Sequence, residues 1–394
     1  MLNSSGRFAL CAPVIFDGEQ FLYDHCVVID GAHIVAVLPT TDCPPGASLT
    51  RLSAGTLAPG FVDLQVNGGG DLMLNNQPDA DTLATIQRAH RNKGSTSILP
   101  TLLSDTHAVQ QAAVAAVRAV RSTARGGILG LHLEGPYFSA ERRGAHSADR
   151  LRQPGATDLD WLCSLHDLPL MLTLAPECIS PDNLARLARS GILLCAGHSD
   201  ASYEQLEAAA GNGLRGVTHL YNAMRQLQAR EPGVVGAALT LDQLWAGIIA
   251  DGHHVHPAAI RLAFRAKPRG KLILVSDAMA TVGGSLGVCE LYGETIREAH
   301  GRLVNSNGVL AGSAIGLIDA VRYAHTVVGL PLDEVLRMAS LYPAAIMGLE
   351  DSIGRLRTGY RADIVHFDDA FTVCNTWLGG DGPVNDRPGG DQAA

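Results

Sequence analysis

Eight apolar runs between residues 61 and 278 constrain this chain more than any other feature: FVDLQVN, TSILPT, LGLHLEG, LMLTLAP, LLCAGHS, GVTHLYN, WAGIIADG and LILVSDA. Mostly unbroken hydrophobic runs are what parallel strands buried on both faces require. Helix-like stretches at 80–93, 106–121, 181–189 and 257–266 lie between several of them. Eight strands alternating with helices is the count of an α/β chain closed as a (β/α)8 TIM barrel. The polar residues sharpen this reading, because Gln65, Asn67, Thr101, Glu134, Glu177, His198, His219, Asp251 and Asp277 all fall at the C-terminal ends of the proposed strands. In such barrels that rim carries the active site. Asp63, Gln65 and Asn67 share one face by the period of two, the inward one if the rim is functional.

The chain ends read differently. Residues 8–56 hold short β-like runs, ALCAPVIF, CVVID and HIVAVLP, with Asp17-Gly18 and Asp30-Gly31 between them. Asp-Gly favours tight hairpins, so a small antiparallel β unit is expected. Arg7 before the apolar stretch Phe8 to Phe16 invites a signal-peptide reading, but Pro13 interrupts it and Asp17-Gly18 follows at once. A first strand and turn fit better. RADIVHFD and FTVCNTWLGG, near 361–380, are expected to rejoin the N-terminal unit. The expected organisation is a barrel over 58–358 and a small β-sandwich built from both chain ends, 1–57 and 359–380. A Gly-, Pro- and Asp-rich tail, 381–394, is expected to be disordered. The glycine-rich segment 284–312 is expected to form a hairpin and loop over the barrel mouth, followed by helices at 314–328 and 332–347.

A chain of 394 residues, 46% hydrophobic, can bury a large core and more than one domain. A net charge of −9 without a basic cluster argues against a nucleic-acid partner. It leaves an anionic small substrate open, since local charge in a cleft decides that. The eight cysteines include no CxxC pair, so neither a zinc knuckle nor a disulfide framework is indicated and a reducing, cytoplasmic setting is expected. No apolar run approaches the roughly 20 residues of a membrane span.

Glu134, His198 and His219 carry the chemistry. A lone buried histidine is ordinarily a hydrogen-bonded core residue. An unpaired carboxylate between Leu133 and Gly135 would be costly to bury and must meet a cation or donors. Together the three make a common shell for a catalytic divalent metal. Asp277, at the end of the eighth run, reads either as a turn cap or as a general base beside that metal. His146, in the polar loop after the third run, reads either as an exposed histidine or as an electrophile opposite the metal. Asn222, Arg230 and His254 follow the sixth and seventh runs. Arg230 could grip a phosphate or carboxylate, or pair with Glu231, and the residue alone does not choose. His253 and His256 flank His254, so spacing does not say which imidazole enters the mouth. Cys195 lies at an odd separation from His198 and so on the opposite strand face, packed against a helix. His132 shares Glu134's face but sits deeper, as a core or supporting residue.

In order along 59–313, PGFVDLQVNGGG, HLEGPY, RRGAH, AGHS, THLYNAM, ADGHHVH, VSDAM and LAGS resemble the landmarks of the N-acetylglucosamine-6-phosphate deacetylases of the amidohydrolase superfamily. The resemblance implies that Glu134, His198 and His219 bind the metal, that Asp277 is general base and acid, and that His146 polarises the acetyl carbonyl. It implies that Asn222, Ala223, Arg230 and His254 hold the sugar phosphate, that Ala145 and His146 touch the substrate, and that the backbone at Leu310, Ala311 and Gly312 closes over the sugar. Some family phosphate contacts come from a neighbouring subunit, which implies a homodimer or higher homo-oligomer. Many superfamily relatives carry His-x-His at the end of strand one. Gln65 and Asn67 stand there instead, amides that bind transition metals poorly beside imidazole. A single metal is expected, Zn2+ ahead of Fe2+ or Mn2+, with Gln65 a neighbour of the metal's water. The alternatives are the same chemistry on N-acetylgalactosamine 6-phosphate, a barrel that is only a scaffold, and a non-haem iron oxygenase.

Overall fold

The structure, a computed structural model, describes residues 7–121, 126–299, 301–306 and 308–382. Eight parallel strands, Phe61–Val66, Ser95–Leu103, Leu131–Glu134, Leu170–Leu174, Leu193–Ala196, Leu214–Val217, Trp245–Ile248 and Leu272–Leu274, lie side by side in chain order. Each of the eight apolar runs contributes one. The barrel closes beyond the eighth strand, where Asp277 N–H donates to Gln65 O (3.0 Å) and Asn67 N–H to Ala278 O (2.9 Å). This closure sets Asp277 beside Gln65 and Asn67, 210 or more residues away in sequence.

The crossover helices pack as their sequences require. In Ala80–Arg91 the Asp79 side chain caps the N-terminus by accepting from Thr82 N, and Leu83, Ile86 and His90 are buried at helical spacing. In Pro181–Arg189, Ser180 caps, proline occupies the first turn, and Leu184 and Leu187 face inward. The segment 332–347 contains two helices, Leu332–Ala339 and Leu341–Ile346. Among the described residues no helix is long and apolar enough to cross a membrane.

Both chain ends form two small sheets. One orders His33–Pro39, His25–Asp30, Phe8–Cys11 and Ser48–Arg51; the other orders Val373–Trp377, Ile364–Phe367, Thr56–Pro59, Val14–Phe16 and Phe21–Tyr23. Between them Leu10, Ile15, Val27, Ile34, Leu57 and Trp377 build a separate apolar core. The unit is mixed rather than antiparallel, because Phe8–Cys11 runs parallel to Ser48–Arg51 and Val14–Phe16 parallel to Thr56–Pro59. The hairpin dipeptides specify only their own neighbours. Asp17 does turn its chain, its Oδ1 accepting from Glu19 N and Gln20 N. Of the tail, residues 383–394 lie outside the described residues, while Asp381 and Gly382 offer their carbonyls to Arg91.

The segment 284–312 is a four-stranded antiparallel flap: Val288–Leu291, Glu294–Ala299, Arg302–Val304 and Leu310–Ser313. Its apolar face, Cys289, Leu291, Ile296, Leu303 and Ala311, packs on Met73, Leu103 and Met279 at the barrel's C-terminal end. Asp71 pins its start by accepting from Ser285 N and Leu286 N.

Candidate metal centre and active site

The C-terminal mouth opens into a cavity of about 550 Å³ beneath the flap. Glu134, His198 and His219 meet there, from the third, fifth and sixth strand ends. His198 Nε2 and His219 Nε2 each lie 3.0 Å from Glu134 Oε1 and 3.0 Å from one another. All three side chains are buried.

These residues fit a divalent cation. His198 Nδ1 lies 2.9 Å from the Arg142 carbonyl. A carbonyl only accepts, so Nδ1 carries the proton and Nε2 keeps its lone pair for a metal, an outer bond typical of ligand histidines. Two imidazole nitrogens and a carboxylate oxygen gathered on one point are within reach of metal bonds of roughly 2.0–2.2 Å. Burial opposes ionisation of Glu134, but the His198 and His219 imidazoles outweigh it and hold its carboxyl well below the usual carboxylate range. His198 and His219 have positive φ, 50° and 33°, as does Asp277 at 52°. Such backbone costs about 1–3 kcal/mol per residue and concentrates at functional sites. Here it turns each side chain from the strand end into the mouth.

Asp277 is no turn cap. Its Oδ1 accepts from Gln65 Nε2 (3.0 Å) and Asn67 Nδ2 (2.7 Å), and Gln65 Nε2 also donates to Glu134 Oε2 (3.1 Å). Gln65 thus lies behind the cavity and bridges the two carboxylates. Burial, with the Glu134 charge adding to it, pushes the Asp277 carboxyl up to about 6.

His146 is buried against the trio, its Nε2 4.0 Å from Glu134 Oε1. The Ser104 backbone N–H donates to its Nδ1 (3.2 Å), and the Ser104 hydroxyl lies 2.9 Å from the same atom. A backbone N–H only donates, so Nδ1 is the acceptor and the ring proton resides on Nε2. Burial, reinforced by the His198 ring, drives His146 well below the usual imidazole range, so it stays neutral. The result is a neutral Nε2–H donor at the cavity. Ala145, Asn222, Ala223, His254, Leu310, Ala311 and Gly312 also line it. Among the three neighbouring histidines, His254 is the one that enters.

Arg230 does not line the cavity; it is exposed on the loop after the sixth strand. It does not hold Glu231, which accepts instead from Tyr203 N and Gly233 N and faces Arg225. Thr101 and Glu177 are also displaced from the roles that rim position suggested. The second strand runs on to Leu103, because Pro100 sits at a register irregularity instead of ending it. The true rim residue is therefore Ser104, while Thr101 bonds Val66 N and His132 inside the barrel. Glu177 supports the next loop through Ser199 Oγ and Asp200 N. His132 is buried between Thr101 and Thr173. Sequence reading missed Arg142 and Arg302, which line the cavity. Arg142 lay within RRGAH and was legible there, but nothing in the glycine-rich flap singled out Arg302.

Gly135, after Glu134, has φ +88°, and an added Cβ would fall 2.2 Å from Ser104 Oγ. Gly135→Ala is expected to cost about 1–3 kcal/mol of stability and to shift Ser104 from His146. Denaturant midpoints paired with turnover would check both.

Residues 56–382 match the amidohydrolase family, and residues 7–53 match the NagA composite domain. The chain belongs to the amidohydrolase family. This family is metal-dependent, in keeping with the Glu134, His198 and His219 cluster. The chain is 40% identical over 94% of its length to an N-acetylgalactosamine-6-phosphate deacetylase of a Shewanella species, and covers 94% of that protein. It is 34% identical over 95% of its length to an N-acetylglucosamine-6-phosphate deacetylase of Haemophilus influenzae, covering 98% of it. A solved N-acetylglucosamine-6-phosphate deacetylase of Pasteurella multocida superposes with a TM-score of 0.93 at 35% identity, over 96% of this chain and all of that one.

Proposed function

We propose that this amidohydrolase removes acetate from N-acetylglucosamine 6-phosphate, giving glucosamine 6-phosphate. The observation that carries the reading is the Glu134, His198 and His219 trio with Asp277 and the His146 Nε2–H donor around one cavity. The trio would hold one divalent cation, Zn2+ ahead of Fe2+ or Mn2+, since two imidazoles and one carboxylate suit zinc. Such a cation lowers the pKa of water toward neutrality and polarises the amide carbonyl. Asp277, fixed by Gln65 and Asn67, accepts a proton from the attacking water and returns it to the departing amine. His146 Nε2–H donates to the oxygen on which negative charge grows. Asn222, Ala223 and His254 hold the sugar phosphate, with Ala145 beside it and the Leu310–Gly312 backbone above. Arg230, exposed on its own subunit, is assigned to the neighbouring cavity of a homodimer. Eight free cysteines support a reducing, cytoplasmic setting.

The galactosamine epimer is the second reading, favoured by the relative that is 40% identical. The deciding measurement is acetate release from both sugar phosphates, before and after chelation and return of zinc. Chelator-sensitive, zinc-restored release from N-acetylglucosamine 6-phosphate is expected. Release from the galactosamine epimer alone would move the assignment to that sugar, and no release from either would remove the catalytic reading.

A further inference from the structure

The seventh strand ends at Ile248, and the chain turns at Asp251 before reaching His254. Asp251 Oδ1 accepts from the backbone N–H groups of His253 (2.8 Å) and His254 (2.9 Å), and Oδ2 lies 2.6 Å from His254 Nδ1. The Asp251 side chain is 2% exposed and that of His254 only 7%. Burial opposes ionisation of Asp251, but the His254 contact outweighs it and holds the carboxyl below its ordinary value. An ionised carboxylate only accepts, so His254 Nδ1 is a donor and Nε2 is the atom left for the cavity that His254 lines.

We propose that Asp251 is a positioning residue for the phosphate end of the substrate, acting through His254. This deepens the sugar-phosphate reading and rests on it. With Nδ1–H committed to Asp251, the ring is fixed in rotation, and Nε2 is the atom that meets the phosphate. A proton between Nε2 and a phosphate oxygen, carried by either partner, then makes a charge-assisted bond. An asparagine at 251 has one acceptor oxygen where the aspartate has two. If that oxygen keeps the His253 and His254 N–H groups, the amide NH2 faces Nδ1, which must become an acceptor. The charge-assisted contact that fixes the ring toward the phosphate is then lost.

The test is Asp251→Asn in the zinc-loaded chain, alone and combined with His254→Ala. For N-acetylglucosamine 6-phosphate, KM is expected to rise on the order of 10- to 100-fold, the value of a bond to a charged group, with kcat little changed. KM for unphosphorylated N-acetylglucosamine should not move. Added to His254→Ala, the substitution should cost nothing further, since the two residues act as one unit. Calorimetric affinity for glucosamine 6-phosphate should fall in parallel. An equal rise for both sugars, an additive loss in the double variant, or unchanged affinity for glucosamine 6-phosphate would each overturn the proposal. Should the wild type release no acetate, the functional reading fails by itself, and the binding comparison still decides the role of Asp251.

Discussion

Asp277→Asn is expected to lower kcat by about 10²- to 10⁴-fold, the usual contribution of a positioned general base, while the chain keeps its full complement of metal. Asparagine retains the carbonyl oxygen that accepts from Gln65 Nε2 and Asn67 Nδ2, so the barrel closure and the side-chain orientation survive. What is lost is the second oxygen's ability to take a proton. The ligand trio is untouched. The pH profile gives a second readout. Burial raises the Asp277 carboxyl to about 6, and a bound cation favours its ionised form, so the acidic limb of kcat/KM should lie at or below about 6. The rate climbs as pH rises through that limb, because only the carboxylate accepts a proton. The residual activity of the variant should lack it. Near-normal turnover, or metal loss equal to the activity loss, would remove Asp277 from its assigned role.

Much of this site was legible because barrel geometry makes rim residues readable one strand at a time. His198, His219 and Glu134 each end an apolar run, and parallel strands in chain order bring those ends together. Asp277 was legible for the same reason, and the barrel closure places its carboxylate against Gln65 and Asn67. Contacts made by loops and by irregular backbone were not legible. Ser104 was hidden because the run TSILPT ends at Thr101, whereas the strand continues past a register shift at Pro100 to Leu103. The parallel pairs of the sandwich were hidden because hairpin turns report adjacent strands and say nothing of how the two ends of a chain interleave. Arg302 lies on a flap strand whose alternation is too short to show which face meets the cavity. The tautomer of His146 depends on the backbone N–H of Ser104, just past the end of the second strand, which no local pattern encodes.

Glu134→Gln is expected to abolish metal binding and turnover together, yet leave a chain that is no less stable than the metal-free wild type. In the wild type Oε1 lies 3.0 Å from both imidazole Nε2 atoms, so the carboxylate charge is central to the shell. Glutamine can keep its amide oxygen toward Gln65 Nε2, the donor that now serves Glu134 Oε2. Its NH2 then faces the two imidazoles and can donate to an Nε2 lone pair, a neutral arrangement without a buried anion to desolvate. Metal linkage separates the two chains. At free zinc a hundred times Kd, the wild type should gain about 2.7 kcal/mol from binding, read as a rise of a few degrees in Tm that chelation reverses. The variant should show no such rise and no bound zinc by elemental analysis. An equal zinc-dependent rise in both would mean that the cation is held without Glu134. A fall in the metal-free Tm of the variant would mean that the carboxylate is itself a structural partner of the two histidines. The two measurements therefore distinguish a metal site from a buried ion-pair network, which share the same geometry but respond oppositely to loss of the charge.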